Sequence, residues 1–220
     1  MIIKNPDFNK KILIIDYGVG NHTSIMNTLK YLKYNFIVSN KIKDIINSDC
    51  YILPGVGAFG EAMKNLKDLK IINILREEVL IKKKPLLGIC LGMQILVDSS
   101  EEKGNHQGLG FISGKVTKIK EEKGLKVPHV GWNSLNIKKH YPLFSKNIKN
   151  SHTNPYFYFD HSYQIICNED HVSAKFNYSN EIVAAIQKEN IFGVQFHPEK
   201  SQISGFKLYR GFFDYVSTIN

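Results

Sequence analysis

The sequence predicts an α/β fold: a mostly parallel central sheet flanked by helices, with an antiparallel or mixed sheet region added in the second half. Three observations predict it. Short apolar runs alternate with segments of helical spacing through the first hundred residues or so. After Ser99 the texture changes to short strands separated by turns, several of which pair naturally as hairpins. The chain has 220 residues, 43% of them hydrophobic, enough for one full core. One domain over 11–220 is expected, behind an N-terminal extension at 1–10 that the default reading treats as an unstructured tail.

Taken in order, Lys11–Asp16 reads as a short buried strand and Tyr17–Asn21 as a turn. A helix follows, with Ile25, Leu29 and Leu32 on one face. Phe36–Val38 and Cys50–Leu53 are further strands, Phe59–Leu66 and Leu69–Ile81 are helical, and Leu86–Leu87 returns to the sheet. Strands alternating with helices imply parallel pairing, and ligands of such sheets bind beyond the carboxyl ends of the strands. Asp16, Pro54 and Cys90 are expected to emerge there. In the second half the strand candidates are Val116–Ile119, Val127–Val130, Tyr156–Phe159, Tyr163–Cys167, Val172–Phe176, Ile182–Gln187 and Phe192–Phe196. A closing helix over Ser204–Val216 carries Phe206, Tyr209, Phe213 and Val216 on one side as a core stripe. There is no internal repeat and no low-complexity linker.

Composition excludes several classes. The net charge is +9, but Lys82–Lys84, Lys115–Lys126, Lys138–Lys139 and Lys146–Lys149 are scattered groups without interleaved aromatics. A solvated surface is expected, and no nucleic acid is predicted as a partner; a basic docking face for an acidic protein is the minority reading. The three cysteines (Cys50, Cys90, Cys167) are odd in number and lack C-x-x-C spacing, which argues against a disulfide framework or zinc ribbon. No apolar run is long enough for a signal segment or a membrane span, so a cytoplasmic location is expected.

The chemistry centres on Gly88-Ile89-Cys90-Leu91-Gly92-Met93-Gln94. Pro85–Leu87 precedes it and Ile95–Val97 follows, giving strand, sharp turn, helix. This is the setting of a nucleophile elbow, with glycines where flanking side chains would collide. Cys90 would sit at a helix N-terminus, where the dipole favours a thiolate. The alternative is a buried structural cysteine. A nucleophile needs a base and an orienter. In Val194-Gln195-Phe196-His197-Pro198-Glu199-Lys200-Ser201, His197 follows an apolar strand and Glu199 stands two residues on, with Pro198 stiffening the turn. His22, His106, His140, His152 and His171 lack such a setting, and no H-E-x-x-H spacing supports a metal.

Gly55-Val56-Gly57-Ala58-Phe59-Gly60 matches the dinucleotide fingerprint G-x-G-x-x-G. Pro54 precedes it, however, and the region about twenty residues on is helical in pattern, without an acidic residue at a strand end. No cofactor is predicted. The other use of such a turn is to aim backbone N–H groups at a developing oxyanion.

The two motifs around Cys90 and His197 together resemble those of the class I (triad) glutamine amidotransferases. Four more segments, Asp16–Asn21, Pro54–Phe59, Pro128–Asn133 and Tyr158–Tyr163, resemble the glutaminase subunits of imidazole glycerol phosphate synthases, and the match runs from Lys11 nearly to the C-terminus. The resemblance implies a glutaminase with Cys90, His197 and Glu199 as catalytic residues and a thioester intermediate. The oxyanion would meet the N–H of Leu91 and an N–H of the Pro54–Gly57 strand, at Val56 or Gly57, after a peptide flip. Gly57, Gln94, Ser162 and Tyr163 match positions that hold the α-amino and α-carboxyl groups of L-glutamine. It further implies a heterodimer in which ammonia passes to a (β/α)8-barrel cyclase of histidine biosynthesis, with Trp132, Tyr158 and Lys200 near the subunit interface. Asp160 departs from the pattern, which has an apolar residue there. That departure keeps open a paralogue supplying ammonia for amidation of a surface-polysaccharide sugar. A stand-alone cysteine amidase or peptidase is a third reading.

Overall fold

The computed structural model describes residues 8–121, 126–144 and 155–219. The lysines Lys146–Lys149 and His152 lie outside the described residues, as does most of the expected N-terminal tail. Its last residues depart from that expectation: the Phe8 ring packs edge-on against Tyr34 and Phe213, and Lys10 Nζ donates to the Ile219 carbonyl at 2.9 Å.

Strand β1 (Ile12–Ile15) is followed by α1 (His22–Tyr31), whose Asn21 cap accepts from the Ser24 N–H. Then come β2 (Phe36–Ser39), α2 (Ile42–Asn47), β3 (Cys50–Leu53), α3 (Phe59–Asp68) and α4 (Ile72–Arg76). The expected helix from Leu69 to Ile81 instead starts at Ile72 and finishes as a π-helical turn, Glu77–Ile81. β4 (Leu86–Ile89) leads through Cys90 into α5 (Leu91–Gln94). The two-residue strands β5 (Ser99–Ser100) and β6 (His106–Gln107) precede β7 (Gly114–Lys118), β8 (His129–Ser134), β9 (Asn136–Ile137), β10 (Tyr156–His161) and β11 (Tyr163–Cys167). Last are β12 (Val172–Tyr178), β13 (Asn180–Lys188), β14 (Ile191–Val194) and α6 (Gln202–Thr218).

Eight strands form the main sheet in the order β2-β1-β3-β4-β14-β13-β12-β9. From β2 to β14 the pairing is parallel; from β14 onward it is antiparallel. Alternation along each strand sends side chains to opposite faces. Ile12 and Ile14 therefore join α1 and α6 in one core, while Leu13 and Ile15 join α3 and α4 in the other. In the stripe on α6, Tyr209, Phe213 and Val216 are buried and Phe206 packs at its margin. Two smaller sheets, β10-β8 and β11-β7-β5-β6, complete the second half. Among the described residues no helix is long and apolar enough to cross a membrane.

β14 is what assembles the site. It pairs in parallel with β4, Ile89 opposite Val194, and the Cys90 N–H donates to the Val194 carbonyl at 2.7 Å. The residues just beyond these two strand ends, Cys90 on one and Gln195 to His197 on the other, are thus delivered side by side.

Candidate active site

Cys90 has φ +54° and ψ −111°, a conformation that L residues rarely adopt. Its surroundings tolerate no side chains at the neighbouring glycines. A Cβ on Gly92 would lie 1.9 Å from the Leu53 carbonyl oxygen, and one on Gly88 2.6 Å from the Gly92 carbonyl oxygen. The helix after the turn is shorter than the sequence implies. α5 is one turn long because the carbonyls of Ile95, Leu96 and Val97 accept from the backbone of Leu109, Phe111 and Gly110 instead of continuing it. The field at Cys90 is therefore that of a single turn, smaller than the dipole of a full helix.

A cavity of about 320 Å³ opens beside the sulfur. It is lined by Val56, Gly57, Cys90, Leu91, Gln94 and His197, with Ser162 and Tyr163 on the facing wall. All the sequence-predicted catalytic, oxyanion and substrate-binding residues are thus brought to one hollow, except Glu199, which stands behind His197. Nδ1 of His197 is 2.8 Å from Glu199 Oε1, and both side chains are nearly inaccessible. Burial disfavours the imidazolium, but attraction from Cys90 and Glu199 outweighs it and pushes the His197 pKa up to about 10. The second carboxylate oxygen, Oε2, is buried without a hydrogen-bond partner among the described residues.

The segment after β3 that reaches the cavity, Pro54–Gly57, is closely packed at one end and open at the other. The Tyr17 hydroxyl donates to the Pro54 carbonyl at 2.5 Å, and Gly55 fits against the Gly92 N–H and the Leu91 side chain. Gly57 has φ +101° with nothing within 4 Å of where a Cβ would be. Val56 between them is exposed. The glycines of this segment are thus explained by close packing and turning, and Gly60 by the His106 ring, 2.6 Å from its missing Cβ. A carboxylate oxygen of Glu102 accepts from the Phe59 N–H at 2.7 Å, at the helix N-terminus where a dinucleotide phosphate would bind.

Gln94 Nε2 donates to the Tyr163 carbonyl at 3.2 Å and to Gln195 Oε1 at 2.9 Å. Gln195 Nε2 lies 3.6 Å from the Cys90 sulfur, and the Asp160 carbonyl lies 3.9 Å from it. His161 also lines the cavity. Its Nδ1 donates to the Tyr163 carbonyl at 2.8 Å, and its Nε2 faces His129 Nδ1 at 3.3 Å. Burial, reinforced by His129 and His197 and opposed by the Tyr163 carbonyl, lowers the His161 pKa to about 3. Burial lowers that of His129 to about 4. Both are neutral near pH 7.

Trp132, Tyr158 and Lys200 form one group at the rim. The Trp132 and Tyr158 rings meet edge to face at 6.1 Å, and Lys200 Nζ lies 5.3 Å from the Tyr158 ring centroid. Trp132 and Val130, two positions apart on the same face of β8, are 47% and 56% exposed, an unusual amount for large apolar side chains. Sequence reasoning missed Glu102, Gln195 and the His129–His161 pair. Glu102 stands in a polar stretch with no periodic signal; Gln195 was readable only once β4 and β14 were set in register.

Residues 13–213 match the family model described as Glutamine amidotransferase class-I. The chain is 49% identical to imidazole glycerol phosphate synthase subunit HisH 2 of Vibrio vulnificus (strain YJ016), covering 94% of this chain and 95% of the relative. It is 48% identical to subunit HisH 1 of Campylobacter jejuni (strain RM1221), covering 91% and 98%. Solved structures share the fold at low identity. A crystal structure of a glutamine amidotransferase superposes with TM-score 0.72 at 16% identity over 94% of this chain and 99% of that one. The Thermotoga maritima PurLQS structure does so with TM-score 0.69 at 18% identity, over the same shares. On the family match and these relatives, the chain belongs to the class I glutamine amidotransferases.

Proposed function

We propose that this chain is the glutaminase subunit of an imidazole glycerol phosphate synthase, hydrolysing L-glutamine to glutamate and ammonia. Identities near one half over almost the full length of two such subunits support this. The observation that carries the chemistry is the His197 imidazole, held by Glu199 on one nitrogen and interacting directly with the Cys90 side chain.

In this reading Cys90 attacks the side-chain amide carbon of glutamine. His197 gives its proton to the departing ammonia, then takes one from the water that cleaves the glutamyl thioester; the sulfur leaves as thiolate. The tetrahedral oxyanion is met by the Leu91 N–H and by an N–H at Val56 or Gly57. Each such donor typically supplies about 3–4 kcal/mol of barrier lowering. The open space around Gly57 and its positive φ, beside the anchored Pro54, support a rotation of this peptide as the on/off element. Gln94 Oε1 and the Glu102 carboxylate suit the substrate's α-ammonium group, and Ser162 and Tyr163 its carboxylate. The functional unit is a single glutaminase domain, 11–220, against which Phe8 and Lys10 also pack.

The partner is a (β/α)8-barrel cyclase docked on the face of Trp132, Tyr158 and Lys200, over the cavity that releases ammonia. The test is glutamate release by the isolated chain and with a cognate cyclase and its ligand. Release should be slow alone and rise strongly in the complex. High activity of the isolated chain, or turnover of peptides, refutes the reading.

Asp160 favours a second reading. Its exposed side chain places a carboxylate at the cavity edge, where Lys200 is also exposed, which suits a different barrel, one that uses ammonia to amidate a surface-polysaccharide sugar. Complementation of a histidine auxotroph lacking its own glutaminase subunit, with the cognate cyclase supplied, separates the two.

A further inference from the structure

Gln195 is wholly buried, belongs to no part of the Cys-His-Glu arrangement, and yet lies 3.6 Å from the reacting sulfur through Nε2. Its orientation follows from a group that has only one role. The Tyr163 carbonyl can only accept, so Gln94 must present its –NH₂ to it, at 3.2 Å. The other hydrogen of that –NH₂ points to Gln195, at 2.9 Å, and requires the oxygen of Gln195 on that side. The –NH₂ of Gln195 is then left facing Cys90. The same carbonyl fixes His161 as the Nδ1–H tautomer, so His161 Nε2 accepts and His129 Nδ1 donates. The polar groups around the sulfur are thus set in one sense by a single backbone oxygen.

We propose that Gln195 is a further catalytic residue: its side-chain N–H donates to the Cys90 sulfur and stabilises the thiolate, with Gln94 as the positioning residue that aims it. The proposal rests on Cys90 being the nucleophile. The opposing contact is the Asp160 carbonyl at 3.9 Å, which accepts from the neutral thiol. Donor and acceptor flank one sulfur, and which contact is made depends on whether the proton is on it. The donor is useful twice: before attack, when the thiolate is free, and at the end, when the carbon–sulfur bond of the thioester breaks and the electron pair returns to sulfur.

The test is the pH profile of iodoacetamide alkylation at Cys90, followed by mass spectrometry on the full chain without glutamine. Cys50 is fully buried, and the Cys167 thiol is pushed up by burial to about 11, so Cys90 is distinguishable from both. Gln195→Met keeps length and removes the donor. Its alkylation near pH 7 should fall about 10-fold, with the profile moved to higher pH. Gln94→Leu, which frees Gln195 to turn, should give a smaller shift in the same direction. An unchanged profile in a folded Gln195→Met protein overturns the proposal. Should that variant not fold, the wild-type side-chain amide signals of Gln195 decide: they should move with the 240 nm thiolate absorbance, and signals that stay fixed overturn it. Glutamine hydrolysis that survives Cys90→Ser refutes the nucleophile assignment itself, a result distinct from either of these.

Discussion

Nδ1 of His197 and Oε1 of Glu199 lie 2.8 Å apart, two residues along the chain and almost fully out of solvent. Glu199→Gln preserves the shape but removes the charge that balances the imidazolium. With the partner and its ligand present, kcat for glutamate release should fall by about 10²–10⁴-fold with little change in KM. A fall of less than threefold would show that the carboxylate does not act through His197.

The same pair sets a pH dependence. The His197 pKa of about 10 lies above the ordinary histidine value of 6.5. Its contribution to folding is therefore complete below pH 6.5 and is lost as pH rises through 10. In urea titrations, the stability difference between wild type and Glu199→Gln should shrink steadily over that window. A difference that stays constant contradicts the assignment.

His129 and His161 carry the opposite sign. Their pKa values are lowered to about 4 and about 3, so their neutral forms contribute stability above pH 6.5 that is lost as pH falls through those values. His129 stacks on Phe176 and contacts Phe159 and Tyr178, an aromatic nest suited to a phenyl ring. His129→Phe should lose less stability than wild type between pH 7 and pH 4, read as the urea midpoint at each pH.

Strain at the nucleophile is separable from its chemistry. Cys90 occupies φ +54° because the turn requires it. Cys90→Ala and Cys90→Gly should both be inactive, yet the glycine variant should be the more stable, by about 1–3 kcal/mol. Equal melting temperatures for the two would show that the turn is relaxed.

Glu102 links substrate recognition to the start of α3. Glu102→Gln keeps an acceptor for the Phe59 N–H but removes the charge offered to an ammonium group. KM for glutamine should rise about 10–100-fold, with a smaller change in kcat, for a charge-assisted hydrogen bond lost. A change confined to kcat would place Glu102 in the movement of the Pro54–Gly57 strand instead.

Much of the fold was legible because its signals are local. Cys50–Leu53 and Tyr163–Cys167 are strands with the predicted bounds, since each is an uninterrupted β-favouring run with turn residues near its ends. α2 was missed because six residues without a side-chain cap give too short a period to read. The length of α5 was misjudged for a non-local reason: residues 109–111 take its carbonyls, and nothing near Val97 announces that. Likewise, the G-x-C-x-G and H-P-E motifs pointed to the cavity, whereas Glu102 arrives on the loop between β5 and β6 and Gln195 through strand register. Contacts made across the sheet have no signature along the chain.

The insertion of β14 between β4 and β13 has a consequence for synthesis. A nascent polypeptide emerging from the ribosome presents its thiol turn about a hundred residues before the histidine that serves it. Until that late strand slots into the gap, the His197 imidazole that pairs with Glu199 does not stand beside the sulfur. Prematurely terminated products therefore carry the nucleophile but cannot waste glutamine.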